Sequence, residues 1–138
     1  MTTVAYRDGV LAADSRVTEG RMIYTDTYKK LFRLSDGGLL GLAGTVCRFS
    51  VLNEKLEEAL QSRKKELPSV RLKGVQAILV SPRGESWFYE GSDWLEGMGY
   101  IAVGHGAPYA YSAMDMGASS VEAVRVACRR DIYSGGRV

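Results

Sequence analysis

Met1-Thr2-Thr3-Val4-Ala5-Tyr6-Arg7-Asp8-Gly9-Val10-Leu11-Ala12-Ala13-Asp14-Ser15-Arg16-Val17-Thr18 is the stretch that decides how the rest of the chain is read. Thr2–Arg7 and Val10–Asp14 are two apolar runs flanking Asp8-Gly9, a dipeptide that favours the left-handed conformation a tight hairpin turn demands. A two-residue turn puts Asp14 across from Thr3, whereas a bulged three-residue loop puts it across from Thr2. Either register holds a carboxylate within one residue of the chain start. Removal of Met1 would leave a threonine carrying both a free amine and a hydroxyl. The question put to the remaining residues is whether they build a reaction site around it.

Moving outward, Thr18–Arg21 is polar, contains Gly20 and reads as a loop. Tyr28–Leu34 and Leu39–Ala43 flank Asp36-Gly37-Gly38 and read as a second strand pair. The latter is apolar throughout, as expected of a strand buried on both faces. These first four strands are expected to form one antiparallel sheet. After Gly44-Thr45, the positions Val46, Phe49, Leu52, Leu56, Ala59 and Leu60 follow the three-and-four spacing of a helix face, with Thr45 as the candidate N-cap. Basic residues Arg63–Lys65 suit its C-terminal end, and Pro68 closes it. Val75–Val80 and Glu85–Glu90 surround Ser81-Pro82-Arg83-Gly84 as another hairpin. The stretch 91–99 reads as loop, with Trp94 and Leu95 as packing anchors. Tyr100–Val103 reads as a short strand and Gly104-His105-Gly106 as a turn. Two helices follow, Ala107–Met116 and Val121–Arg130, divided at Gly117, the second capped by Ser119 or Ser120 with Glu122 in its first turn. Strands grouped with strands and helices with helices give an α+β fold, one domain over residues 1–138.

The bulk properties exclude several functions. The chain has 138 residues, 46% hydrophobic and 25% charged, with a formal net charge of +2. That charge is too small to argue for nucleic acid or an anionic membrane. No apolar run reaches the roughly 20 residues of a membrane span, and the start lacks the plan of a secretory signal. The expected location is the cytoplasm. Cys47 and Cys128 are far apart and lack metal-ligand spacing, so both read as small buried hydrophobes. His105 is the only histidine. A metal centre is not expected, and no cofactor is implied.

The chemistry rests on the chain start. A threonine hydroxyl needs a base to take its proton, and an N-terminal threonine supplies one, because an α-amine has a pKa of roughly 7.7–8.0. A nearby lysine lowers that value further and stabilises negative charge on the oxygen. A carboxylate then fixes the lysine, and a backbone N–H before a helix suits the oxyanion. Thr2, Lys30, Asp14 and Gly44 provide one of each.

The order of motifs adds a resemblance. Thr2-Thr3, then Asp14-Ser15-Arg16-Val17-Thr18-Glu19-Gly20, Lys29-Lys30 and Leu42-Ala43-Gly44 resemble the β-type proteasome subunits and the related bacterial two-component threonine protease. Val103-Gly104-His105-Gly106-Ala107-Pro108-Tyr109-Ala110 and Arg130-Asp131-Ile132-Tyr133-Ser134-Gly135-Gly136 resemble that family's later signature stretches. Short members of this kind also occur in phage and prophage genomes. The resemblance implies an N-terminal-nucleophile hydrolase of reduced size, a four-layer αββα sandwich. It implies Thr2 as nucleophile and base, Lys30 as activator, Asp14 as its partner and Gly44 as oxyanion donor, with Asp131 and Ser134 supporting the amine. It further implies that Thr18 and Gly44 hold substrate backbone. Val17, Tyr28, Phe32, Leu42 and Val46 fall at the first specificity pocket, so cleavage after apolar residues is expected. His105 stands where the family generally has a serine, and an imidazole there would take over the hydrogen bond or serve as a base.

The function expected is a threonine-type peptidase in a homo-oligomeric ring, acting on peptides or unfolded protein. Any ATPase unfoldase would be a separate chain, because nothing here resembles a phosphate-binding loop. The alternative is a non-catalytic, self-assembling structural subunit that keeps the fold.

Overall fold

A computed structural model describes residues 2–62 and 67–138. Its first element pair is the opening hairpin. Strands β1 (Thr3–Arg7) and β2 (Val10–Ala13) are antiparallel, with Arg7 opposite Val10 and Val4 opposite Ala13. Asp8 and Gly9 alone form the turn, at φ of 50° and 80°, which selects the two-residue register and sets Asp14 opposite Thr3.

Three sheets follow from the pairing. β10 (Ile101–Gly104) joins β1 on the side away from β2, giving the order β10-β1-β2. β3 (Val17–Glu19) and β4 (Met22–Thr25) form a separate two-stranded ribbon. β5 (Leu31–Arg33), β6 (Leu39–Gly44), β7 (Val75–Val80), β8 (Ser86–Glu90) and β9 (Trp94–Glu96) make a five-stranded antiparallel sheet in chain order. Helix α1 (Phe49–Gln61) follows a 3-10 turn at Val46–Arg48, and α2 (Ala107–Asp115) and α3 (Ser120–Arg130) close the chain.

Period-two alternation sorts the side chains into layers. Leu40 and Leu42 of β6 and Ala77 and Leu79 of β7 pack under Phe49, Leu52 and Leu56 of α1. The opposite face carries Ala43, Ile78 and Val80, which meet Val4, Tyr6, Ala13, Ile101 and Val103 of the three-stranded sheet. On the far side of that sheet Ala5, Ala12 and Ala102 stand in one row across the strands and receive Ala110 and Met114 of α2 with Ala123 and Val124 of α3. Four layers result, αββα. The alanine row brings the helices close. Gly41 does the same between the sheets, since a Cβ there would lie 2.6 Å from a Val4 methyl. A reciprocal capping box between Ser119 and Glu122 starts α3.

Several sequence expectations are corrected. The first four strands do not share a sheet: β1 and β2 belong with β10, while β5 and β6 belong to the five-stranded sheet. Thr18–Arg21 is not a loop, because Gly20-Arg21 turns the β3–β4 ribbon. Of Tyr28–Leu34 only Leu31–Arg33 is strand, since the preceding residues are drawn out of the sheet toward β2 by the Tyr28 N–H bond to Ser15 O. Thr45 makes no side-chain cap bond. Within 91–99, Trp94 packs on Tyr89 within β9, but Leu95 is exposed. Cys47 is exposed and Cys128 half-buried rather than both buried. The basic run Arg63–Lys65 lies outside the described residues.

Candidate active site

The hairpin itself builds the first part of the site. Opposite positions on β1 and β2 lock the carboxylate in place: Asp14 N–H donates to Thr3 O and Thr3 N–H returns a bond to Asp14 Oδ1, both at 3.1 Å. Lys30, just before β5, extends its ammonium to the same Oδ1 at 2.8 Å and to Arg16 O at 2.5 Å. The second oxygen of Asp14 accepts from Gly135 N–H at 2.9 Å and Arg16 N–H at 3.3 Å. Both ionic side chains have no exposed surface. Burial pushes the Lys30 ammonium below its usual pKa, and the attraction of Asp14 only partly offsets this. Buried ion pairs of this kind add little net stability, but breaking one costs heavily.

A second carboxylate organises the other side of the chain start. Asp131, at the C-terminal end of α3, accepts from His105 Nδ1 at 2.8 Å and Tyr133 N–H at 3.1 Å on one oxygen, and from Ser134 Oγ at 2.6 Å on the other. Because Ser134 spends its single proton on the carboxylate, its contact with Thr3 Oγ1 at 2.7 Å has Thr3 as donor. A chain of bonds therefore runs from Thr3 through Ser134 and Asp131 to His105.

Thr2 directly precedes Thr3, whose backbone N–H joins the first group and whose hydroxyl joins the second. It is wholly buried, and its hydroxyl has no hydrogen-bond partner among the described residues. Its carbonyl lies against Gly104, where a Cβ would stand 1.9 Å from the oxygen, and receives the Gly106 N–H at 3.5 Å. Gly104 and Gly106 are thus required by close approach; Gly104 is further held at a φ of 99°. Gly44, at the end of β6, has a φ of 100° and borders an open cleft of about 530 Å³ together with Gly104, His105, Gln76 and Glu90. Gln76 fixes the rim by accepting the Gly104 N–H at 2.8 Å.

All seven catalytic candidates take places in this region, through the two carboxylate clusters, the buried chain start and the adjoining cleft. The substrate-binding candidates do not gather so closely. Leu42 is fully buried under α1, with Phe32 and Val46 packed against the same cluster. Tyr28 meets the edge of Phe49. Val17 and Thr18 stand on β3, and Thr18 borders a different cleft of about 550 Å³ that also includes Arg16, Cys128 and Ile132. Burial, with the charge of Asp14 adding to it, pushes the Cys128 thiol up to about 11.

Sequence reasoning missed Thr3, Arg16 and Gly135. Arg16 grips Asp26 through Nε and Nη2 at 2.8 and 3.1 Å, and Gly135 lies on the guanidinium with room for no side chain. This clamp presses residues 134–136 onto Asp14. The Gly135-Gly136 pair was visible as a motif, but nothing in the sequence names its partner.

Comparison with known proteins agrees with this arrangement. A family model described as "Proteasome subunit" matches residues 2–81. The ATP-dependent protease subunit HslV of Anaeromyxobacter sp. (strain Fw109-5) is 31% identical over 145 residues, covering 88% of this chain and 80% of that protein. Among solved structures, the eukaryotic HslV of Trypanosoma brucei superposes with a TM-score of 0.78 at 22% identity, over 98% of this chain and 94% of the other. Thiobacillus denitrificans BPH superposes with a TM-score of 0.71 at 16% identity, over 99% of this chain and 93% of that one, and its complex with epoxomicin with 0.65 at 18% over the same shares. The αββα layering is thus that of the N-terminal-nucleophile hydrolases, and the chain belongs to the proteasome subunit family of threonine peptidases.

Proposed function

We propose that Thr2, once Met1 is removed, is the nucleophile of this peptidase subunit. Its α-amine takes the hydroxyl proton, the Thr2 oxygen adds to a peptide carbonyl, and the C–N bond breaks with the amine returning the proton to the leaving nitrogen. Lys30 stabilises the negative charge on the attacking oxygen, and Asp14 holds Lys30. Gly44 supplies the oxyanion donor at the cleft rim. Asp131 and Ser134 position the chain start. The observation that carries this reading is the wholly buried Lys30–Asp14 pair bonded to the Thr3 backbone, one residue along the chain from a buried Thr2 hydroxyl that no described group engages.

The assembly is a homo-oligomeric ring in the cytoplasm, and the substrates are peptides or unfolded chains cleaved after apolar residues. Support for association comes from the exposed Met22 and Ile23 of β4 and from Ile132, 74% exposed, which border one cleft. A separate ATPase feeds the ring, by analogy with the relative named as an ATP-dependent protease subunit. The test is turnover of an apolar-ended fluorogenic peptide by protein whose intact mass lacks Met1, beside Thr2→Ala. Wild-type protein no faster than the variant would overturn the reading.

A further inference from the structure

The proposed nucleophile carries its own base, yet the cleft beside it holds a second group able to move protons. His105 follows Gly104, whose backbone packs on the Thr2 carbonyl, and precedes Gly106, whose N–H donates to that same carbonyl. Its backbone is therefore anchored to the chain start through both neighbours. Nδ1 is engaged by the buried Asp131, and the edge of the ring meets Tyr133 with centroids 4.7 Å apart. Asp131 is itself fixed by Tyr133 N–H and Ser134 Oγ. With Nδ1–H donated to a carboxylate, the neutral imidazole has its lone pair on Nε2, and the half-exposed ring borders the cleft it shares with Gly44. Glu90 is the charged group on that cleft. An orienting carboxylate, a fixed imidazole and an unengaged Nε2 on a cleft whose Gly104 packs against the Thr2 carbonyl are the parts of a hydrolytic base.

We propose that His105, oriented by Asp131, is the general base for the water that releases the acyl-enzyme, a role that rests on Thr2 being the nucleophile. Acylation needs only the Thr2 amine. In the second step the water oxygen bonds to the acyl carbon while one water proton passes to His105 Nε2. The imidazolium, stabilised by Asp131, then delivers that proton to Thr2 Oγ1 as the Oγ1–carbon bond breaks. A free acid leaves, and both side chains return to their starting states. The cleft is where such a water enters.

The experiment compares wild type, His105→Asn and His105→Ala, all lacking Met1, by rapid-quench kinetics and intact mass on an apolar-ended fluorogenic peptide. Asparagine keeps a donor near the Nδ1 position for Asp131 but has no titrating nitrogen. The expected result is a retained burst of one equivalent, steady-state turnover slowed about a hundredfold or more, and a chain carrying the acyl mass in both variants. Equal slowing of burst and steady state, or a turnover in His105→Asn matching wild type, would overturn the role of His105 while leaving Thr2 as nucleophile. Absence of both burst and turnover in wild type would remove the two proposals together.

Discussion

Replacing Asp14 by asparagine removes one charge and keeps the shape, so its cost measures what the buried carboxylate does. Asp14 accepts four bonds: Thr3 N–H and Lys30 on Oδ1, Gly135 N–H and Arg16 N–H on Oδ2. An asparagine oxygen can serve one pair only. Its NH₂ then faces the donors of the other pair, and Lys30 keeps a buried ammonium without a counter-charge. Leaving one member of a buried pair uncompensated costs on the order of 3–5 kcal/mol. Deprotonation of Lys30 limits the loss, because Asp14 is the main influence opposing the downward shift that burial imposes on it. With a urea m-value of about 2 kcal/mol/M, the midpoint should fall by about 2 M. In a double-mutant cycle, Asp14→Asn with Lys30→Met should be less destabilised than the sum of the singles by at least about 1 kcal/mol. Urea unfolding followed by Trp fluorescence reads both numbers. A midpoint shift in Asp14→Asn below about 0.3 M, or strict additivity in the cycle, would mean that the carboxylate does not hold a buried charge in place.

Other consequences are as direct. Because burial lowers the folded-state pKa of Lys30, the unfolded chain binds its proton more tightly there, and stability tied to this group rises with pH between the folded and unfolded values; the difference between wild type and Lys30→Met, measured by urea melts from neutral to alkaline pH, should grow in favour of wild type. The two thiols should label in two phases near pH 8, exposed Cys47 first and Cys128, pushed up to about 11, only slowly until urea is added; equal rates would contradict its burial. Gly104→Ala forces a Cβ onto the Thr2 carbonyl at a φ of 99° and should cost about 2–5 kcal/mol by thermal or urea unfolding, whereas Gly84→Ala, at a φ of 86° with nothing in the way, should cost only the roughly 1–2 kcal/mol of its backbone strain.

What could be read from residues alone follows from the range of the interactions involved. Asp8-Gly9 announces its turn, and the two-residue loop then carries Asp14 to Thr3 without help from elsewhere. The Ser119–Glu122 capping box is equally local. Which sheet a strand joins is decided by distant partners: β10 inserts beside β1 from the far end of the chain, so the expectation of one four-stranded sheet failed. The β3–β4 ribbon escaped notice because its apolar residues Met22 and Ile23 face outward, leaving no alternation toward a core. At the site, residue types gave Thr2, Lys30, Asp14 and Gly44 as chemically compatible, and motif order supplied Asp131 and Ser134. Thr3 was hidden by its neighbour's role. The Arg16 clamp and the Gly135 bond to Asp14, a partner 121 residues away, have no signature until the chain is folded.

Whether the chain start is a reaction centre is read by coupling the intact mass of the purified protein to its turnover of an apolar-ended fluorogenic peptide, beside Thr2→Ala. Wild type is expected to lack Met1 and cleave the peptide, while the alanine variant folds to the same urea midpoint within about 0.5 M and shows no burst. Wild-type protein that lacks Met1, is folded, and cleaves no faster than Thr2→Ala would show that the chain start is not a reaction centre.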